Sequence, residues 1–340
     1  MNAEEISVDI LIIGAGPVGL FGAYYAGARG LTVAVADSLS QLGGQVTAMY
    51  PEKQIYDIAG LPAVAGRELI SGLVAQAAQY DPTYLLGQEA QDLAVITDDE
   101  GKQRQVVTTS SGARVSCGAV VVTGGIGTFT PRVLPAGEEF LGRGLEYFVP
   151  DSSEYADKNV VVVGGGDSAI DWCLMFEHIA SRVTLVHRRE SFRAHAASVA
   201  QLGETEVDVI TNAQVVVLEG GAVIEKAHIE VKGDEAARVI SCDRVVAALG
   251  FTANLGPLRE WGLDLHDNRH IVVDSSMRTN LVGVYAAGDI TDYIGKVRLI
   301  AVGFGEVATA VNNAAVHIDP EAQLFPGHST DTPHPVAVPA

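Results

Sequence analysis

The chain carries one supersecondary unit twice, with the first glycine of each copy 150 residues apart at positions 14 and 164, and this repetition leaves few folds open to it. In the first copy VDILII (8–13) runs into the turn Gly14-Ala15-Gly16-Pro17-Val18-Gly19. An apolar helical stretch and LTVAVAD follow, ending at Asp37. In the second copy NVVVV (159–163) runs into Gly164-Gly165-Gly166-Asp167-Ser168-Ala169, then AIDWCLMFEHIAS and RVTLVH, ending at His187. Unbroken valine and isoleucine runs joined by crossover helices predict parallel strands buried on both faces, the pattern of an open α/β sheet. Two such units predict two dinucleotide-binding, Rossmann-like domains. Two further strands that end in glycine, GAVVVTGG (118–125) and RVVAALG (244–250), read as the crossings between them. The expected organisation is discontinuous. Residues 1–122 and 252–340 form the first domain and residues 123–251 form a second domain inserted in it. The last residues, STDTPHPVAVPA, show no periodicity and read as an unpacked tail.

Composition supports a large core, because 340 residues with 48% apolar and 19% charged side chains suffice for two domains. A net charge of -20 argues against general affinity for nucleic acid or anionic membrane, since both are repelled at long range. MNAEEISVDILIIGAG has acidic residues where an export signal carries positive charge. No apolar run reaches the roughly 18 residues of a membrane span. The expectation is a soluble, cytoplasmic chain. Cys117, Cys173 and Cys242 are odd in number and widely spaced, which suggests neither a disulfide framework nor a zinc site and predicts three buried hydrophobes.

A glycine turn between strand and helix lets backbone N–H groups and the positive helix end approach a pyrophosphate, and Gly14, Gly16 and Gly19 have the required spacing. Asp37 follows at the end of the second strand, where a carboxylate accepts hydrogen bonds from ribose hydroxyls. Further on, TNLVGVYAAGDI (279–290) places Asp289 just beyond a buried strand and before an alanine-rich helix. Asp289 alone reads equally as a helix cap. Together with the first turn it favours FAD at this site.

In the second copy the residue 23 positions beyond the first glycine is His187, where the first copy has Asp37. Arg188, Arg189 and Arg193 follow. This strand end offers cations suited to a 2'-phosphate, so Gly164, Gly166, Ser168, His187, Arg188 and Arg189 are the expected NADPH contacts, in preference to NADH. Ala169 replaces the third glycine, as the fingerprint permits, but Asp167 is electrostatically unexpected beside phosphates.

Beyond these turns, QLGGQVTAMYPEKQIYDIAG (41–60), GGGDSAIDW (164–172), VHRRESFRAH (186–195), GKVRLIAVGFGEVATAVNNA (295–314) and FPGHST (325–330) resemble the ferredoxin/flavodoxin-NADP reductases of the thioredoxin-reductase-like type over nearly the whole chain. Thioredoxin reductases share the architecture but carry Cys-x-x-Cys before the second glycine turn, where this chain reads EYFVPDSSEYADKNVVVV without cysteine. The resemblance implies FAD contacts at Gln45, Tyr50, Ala90, Phe129, Asp289 and Thr330. Tyr50 is expected to stack on the flavin, and His328 of a homodimer to cover the neighbouring subunit's flavin. It implies hydride transfer from NADPH to FAD and one-electron delivery to ferredoxin or flavodoxin, with no protein acid or base nominated as catalytic. An acidic carrier and a -20 chain repel each other. Docking is therefore expected at a local basic patch, with Lys53, Lys296 and Arg298 as candidates. Two other readings stay open: an NADPH oxidase or diaphorase using oxygen or quinones, and a flavin- and NADPH-binding sensor.

Overall fold

The structure, a computed structural model, describes residues 5–98, 101–125, 127–149, 151–328 and 330, and the side chains of 128–130 and 251–253 are also outside the described set. The tail beyond residue 330 lies outside it too. The chain divides into two compact units, Met1–Thr128 with Ala253–Ala340, and Phe129–Thr252. Among the described residues the helices are α1 (Pro17–Ala28), α2 (Gly44–Met49), α3 (Gly66–Ala77), α4 (Asp167–Phe176), α5 (Ala196–Leu202) and α6 (Ile300–Ile318).

In the discontinuous unit, the parallel part of the main sheet runs Thr83–Leu86, Val33–Asp37, Glu5–Ile13, Arg114–Val122. The strand Arg114–Val122 is shared. Its first four residues pair antiparallel with Gln103–Thr109, while Val120, Val121 and Val122 pair parallel with Val284–Ala286, which follows the inserted unit in sequence. Successive strand residues face opposite sides of a sheet, so the full burial of Ile10, Leu11 and Ile12 in a row requires cover on both faces. Helix α6 supplies part of it. Gly303, Glu306, Val307, Ala310, Val311, Ala314 and Ala315 are buried at the three- and four-residue spacing of one helical face.

The continuous unit repeats the plan with a five-stranded parallel sheet ordered Leu145–Glu146, Arg244–Ala248, Asn159–Gly164, Arg182–Val186, Asp208–Ile210. A three-stranded antiparallel sheet, Ala213–Gly220, Ile224–Val231 and Arg238–Ser241, adds to it. Each unit therefore presents one strand–turn–helix corner at the carboxyl ends of its parallel strands, where open α/β sheets bind their ligands.

Candidate functional site: two dinucleotide corners

At the first corner each glycine answers a different steric demand. Gly14 has φ +110°, and a Cβ there would stand 2.7 Å from the Thr123 carbonyl oxygen. A Cβ at Gly19 would overlap Gly14 O. Around Gly16, by contrast, nothing lies within 4 Å of the place a Cβ would occupy. The two outer glycines let helix and strands close on one another, and the middle one opens the turn toward a ligand. The Thr123 hydroxyl braces the turn from behind, donating to Gly14 O at 2.9 Å and Ile13 O at 3.1 Å. Helix α1 begins at Pro17 with Gly16 as its N-cap and without a side-chain cap, so its first N–H groups remain for an anion.

Asp37 orients itself on the same turn. Its Oδ2 accepts the Ala15 N–H at 2.6 Å and its Oδ1 the Leu39 N–H at 2.8 Å. An ionised carboxylate has about four acceptor positions, so two remain for ribose hydroxyls. Burial pushes the Asp37 carboxyl above the usual carboxylate range, and the Leu39 and Ala15 N–H groups oppose that. The loop before α2 closes over the corner, since a Cβ at Gly44 would stand 3.0 Å from Gly16 Cα. Gln45 packs at the positive-φ Gly125, where a Cβ would stand 3.0 Å from Gln45 Nε2. Ala90 is buried at the start of Ala90–Thr97, just after Gln88, whose N–H donates to Asp37 O at 2.9 Å.

The second corner repeats the pattern with different chemistry. A Cβ at Gly164 would overlap Ala248 O, the counterpart of Thr123 O, whereas at Gly166 nothing lies within 4 Å. Helix α4 also starts without a side-chain cap, with Asp167 and Ser168 exposed in its first turn. Asp167 has a structural assignment, because its Oδ1 accepts the His195 N–H at 2.8 Å and ties the start of α5 to the turn. His187 is 8% exposed. Its ring fills the space where a Gly165 side chain would go, stacks on Phe192 at 5.2 Å, and has Nε2 3.1 Å from Ser191 O. Arg188, Arg189 and Arg193 are exposed around it.

A third element completes the first corner. The strand Val284–Ala286 is followed by Ala287, Gly288 and Asp289, and α6 starts at Ile300 without a side-chain cap. Cβ atoms at Gly288 and Gly303 would meet Val18 Cγ2 at 3.3 and 2.5 Å, so the Asp289 turn, the α6 start and the α1 start share one close junction. Burial raises the Asp289 carboxyl, offset by Lys296 and Arg298. Tyr50, at the end of α2, is half-buried, and its hydroxyl is held above its ordinary range by burial and then by Asp289 and Asp57.

Lys296 is a correction. The sequence predicts that it meets an acidic carrier, but its side chain is only 3% exposed, with Nζ on both Glu306 oxygens at 2.5 and 2.7 Å. A buried, ion-paired ammonium presents nothing to a partner. Lys53 is exposed, and Arg298 is 38% exposed with a guanidinium nitrogen 3.6 Å from Asp292. The residue missed from sequence is Glu306. Its signal was a charge on the apolar face of α6, where burial demands a partner.

Of the remaining expected contacts, the Phe129 side chain lies outside the described residues. His328 is exposed and meets Phe325 edge-on at 5.2 Å, and Thr330 is exposed. Cys117, Cys173 and Cys242 are buried, and burial pushes each thiol up to about 12. Native protein treated with iodoacetamide at pH 8 is therefore expected to keep its intact mass, with three adducts appearing only after denaturation. Adducts on the native chain would contradict this burial. Among the described residues no helix is long and apolar enough to cross a membrane, and no cluster of three or more His, Cys, Asp or Glu could hold a metal.

Two corners of one design, one ending in a carboxylate and the other in arginines, define a two-dinucleotide oxidoreductase. The model of the pyridine nucleotide-disulphide oxidoreductase family matches residues 8–314. The chain is 60% identical over 324 residues to a protein of Salinispora arenicola named ferredoxin–NADP reductase, covering 95% of this chain and 98% of that one. It is 59% identical over 328 residues to one of the same name from a Nocardioides species, covering 96% and 98%. Among solved structures, thioredoxin reductase from T. acidophilum superposes with a TM-score of 0.72 at 26% identity, covering 93% of this chain and 99% of that one. The chain belongs to the pyridine nucleotide-disulphide oxidoreductase family and, within it, to the thioredoxin-reductase-like ferredoxin–NADP reductases. It is an FAD-dependent oxidoreductase that uses FAD and NADPH. Both corners fit dinucleotides, because each has a glycine open to a pyrophosphate and an uncapped helix start behind it.

Proposed function

We propose that the chain holds FAD at the corner of Gly14, Gly16, Gly19 and Asp37 and NADPH at the corner of Gly164, Gly166 and Ser168. We further propose that it passes electrons from NADPH to ferredoxin or flavodoxin. The observation that carries this reading is the shared steric pattern of the two corners, tight at the first glycine and open at the middle one, with opposite charge at the two strand ends. Asp37, fixed by two N–H groups, suits the unphosphorylated ribose of FAD. Arg188, Arg189 and Arg193 suit the 2'-phosphate of NADPH, and His187 supports them by packing on Gly165 and Phe192.

Bound FAD supplies a group that takes hydride from NADPH as an electron pair and can give electrons up singly. The chain's part is positional: Tyr50, Gln45, Asp289 and the start of α6 line the region for the flavin end, and no side chain needs to move a proton in hydride transfer. The buried thiols offer no dithiol relay to a disulfide substrate. Similarity to relatives named ferredoxin–NADP reductase supports acceptance of electrons by a protein carrier. The homodimer with His328 and Thr330 over a neighbouring flavin, and the contact at Phe129, are part of the same proposal.

Anaerobic stopped-flow mixing tests it. NADPH is expected to bleach the flavin rapidly, and oxidised ferredoxin or flavodoxin to restore its colour within the same order of time. Reoxidation by oxygen or quinones alone would replace this reading with the oxidase, and absence of bleaching would remove the assignment of the second corner.

A further inference from the structure

One buried carboxylate gathers most of the loop between Asp289 and α6. Glu306 lies two turns into α6 and is 5% exposed. Its Oε2 accepts the Gly288 N–H at 2.7 Å, its Oε1 accepts the Tyr293 hydroxyl at 2.6 Å, and both oxygens accept Lys296 Nζ. Lys296 then donates to Gly288 O at 2.9 Å and lies over the Tyr293 ring at 5.4 Å. Both backbone polar groups of Gly288 are thus bound: Glu306 accepts its N–H, while its carbonyl oxygen accepts Lys296 Nζ together with the Thr291 hydroxyl at 2.8 Å and the Thr291 N–H at 3.1 Å. The next residue is Asp289. The junction is rigid, because Gly288 and Gly303 both pack on Val18 at the start of α1.

We propose that Glu306 and Lys296 are positioning residues for the flavin: as a neutral buried pair they fix the Gly288–Asp289 turn against the start of α6 and keep uncompensated charge away from the flavin's reducible end. This rests on the assignment of FAD to the first corner. Desolvated charges act over longer distances than surface ones, and Asp289 already feels both members of the pair, Lys296 and Glu306, with opposite sign. An isolated buried carboxylate would oppose the negative charge that reduction adds to a flavin ring. The pair removes that opposition while still holding both polar groups of Gly288. A salt bridge serving only fold stability would have neither effect.

The test uses purified holoprotein, with the flavin midpoint potential and the FAD dissociation constant as readouts. Lys296→Met takes the ammonium from Glu306 and leaves that side chain the Gly288 N–H and Tyr293 O–H, and it is expected to lower the potential and weaken FAD binding about tenfold. The double variant Lys296→Met with Glu306→Gln removes both charges. Its potential is expected to return to the parent value, while FAD binding stays about tenfold weak because Lys296 no longer ties the Gly288 carbonyl to α6. Tyr293→Phe, which keeps both charges and the core volume, is expected to lower the potential by less than Lys296→Met, and it serves if the charge variants do not fold. Unchanged potentials in Lys296→Met and Tyr293→Phe, a double variant as low as the single, or lost thermal stability with parental FAD binding would each overturn the proposal. A parent protein that binds no FAD would instead refute the underlying site assignment.

Discussion

Gly16→Ala is expected to yield a chain that melts like the parent apoprotein but purifies without flavin. The backbone at Gly16 is extended, with φ -71° and ψ -177°, which alanine adopts freely, and no atom lies within 4 Å of the new methyl. The methyl therefore costs the fold almost nothing, yet it projects toward the space from which a pyrophosphate approaches α1. A loss of at least about a hundredfold in FAD affinity, roughly 2.7 kcal/mol, is expected. Gly14→Ala is the informative contrast. It meets Thr123 O at 2.7 Å from a positive-φ position, so it strains the fold by about 1–3 kcal/mol and lowers the melting temperature as well. Flavin absorbance per mole of protein, FAD fluorescence titration and apoprotein melting separate the two. Parental flavin content in Gly16→Ala would remove this turn from the FAD site.

The second large effect concerns nicotinamide choice. With Arg188 and Arg189 both changed to alanine, kcat/KM for NADPH is expected to fall about a hundredfold, while that for NADH stays within about twofold. Hydrogen bonds to charged groups contribute about 1.5–3 kcal/mol each, and the exposure of both arginines places the pair at the lower end of the combined range. NADH lacks the 2'-phosphate and has nothing to lose there. Equal losses with the two nucleotides would mean that the arginines serve the fold or the pyrophosphate, and the 2'-phosphate assignment would have to move.

The two corners were legible because their chemistry is local. Six consecutive residues set the turn from Gly14 to Gly19, and the strand end at Asp37 or His187 sits at a fixed distance along the chain. What was illegible depends on partners distant in sequence. Asp167 looked misplaced beside phosphates until His195, 28 residues away, was found to donate its N–H to it. Lys296 looked like a surface cation because spacing says nothing about burial; its partner lies ten residues on, inside a helix whose apolar face it shares. His187 is the intermediate case. The sequence placed it at the strand end, but not the direction of its ring, which Gly165 and Phe192 decide.

The shared strand Arg114–Val122 also bears on the order in which the protein can be made. Its last three residues wait for Val284–Ala286, which leaves the ribosome 162 residues after Val122. At about 5–20 residues per second this delay is roughly 8–30 s. Throughout it the nascent sheet has an open pairing edge beside a finished glycine turn. The intervening unit, being one continuous segment, has all its strands in hand first. Asp289 and the start of α6 emerge after the missing strand, so the corner proposed for FAD is complete only once α6 has begun to emerge, and on that proposal a flavin-loaded chain is one whose translation has passed Ile300.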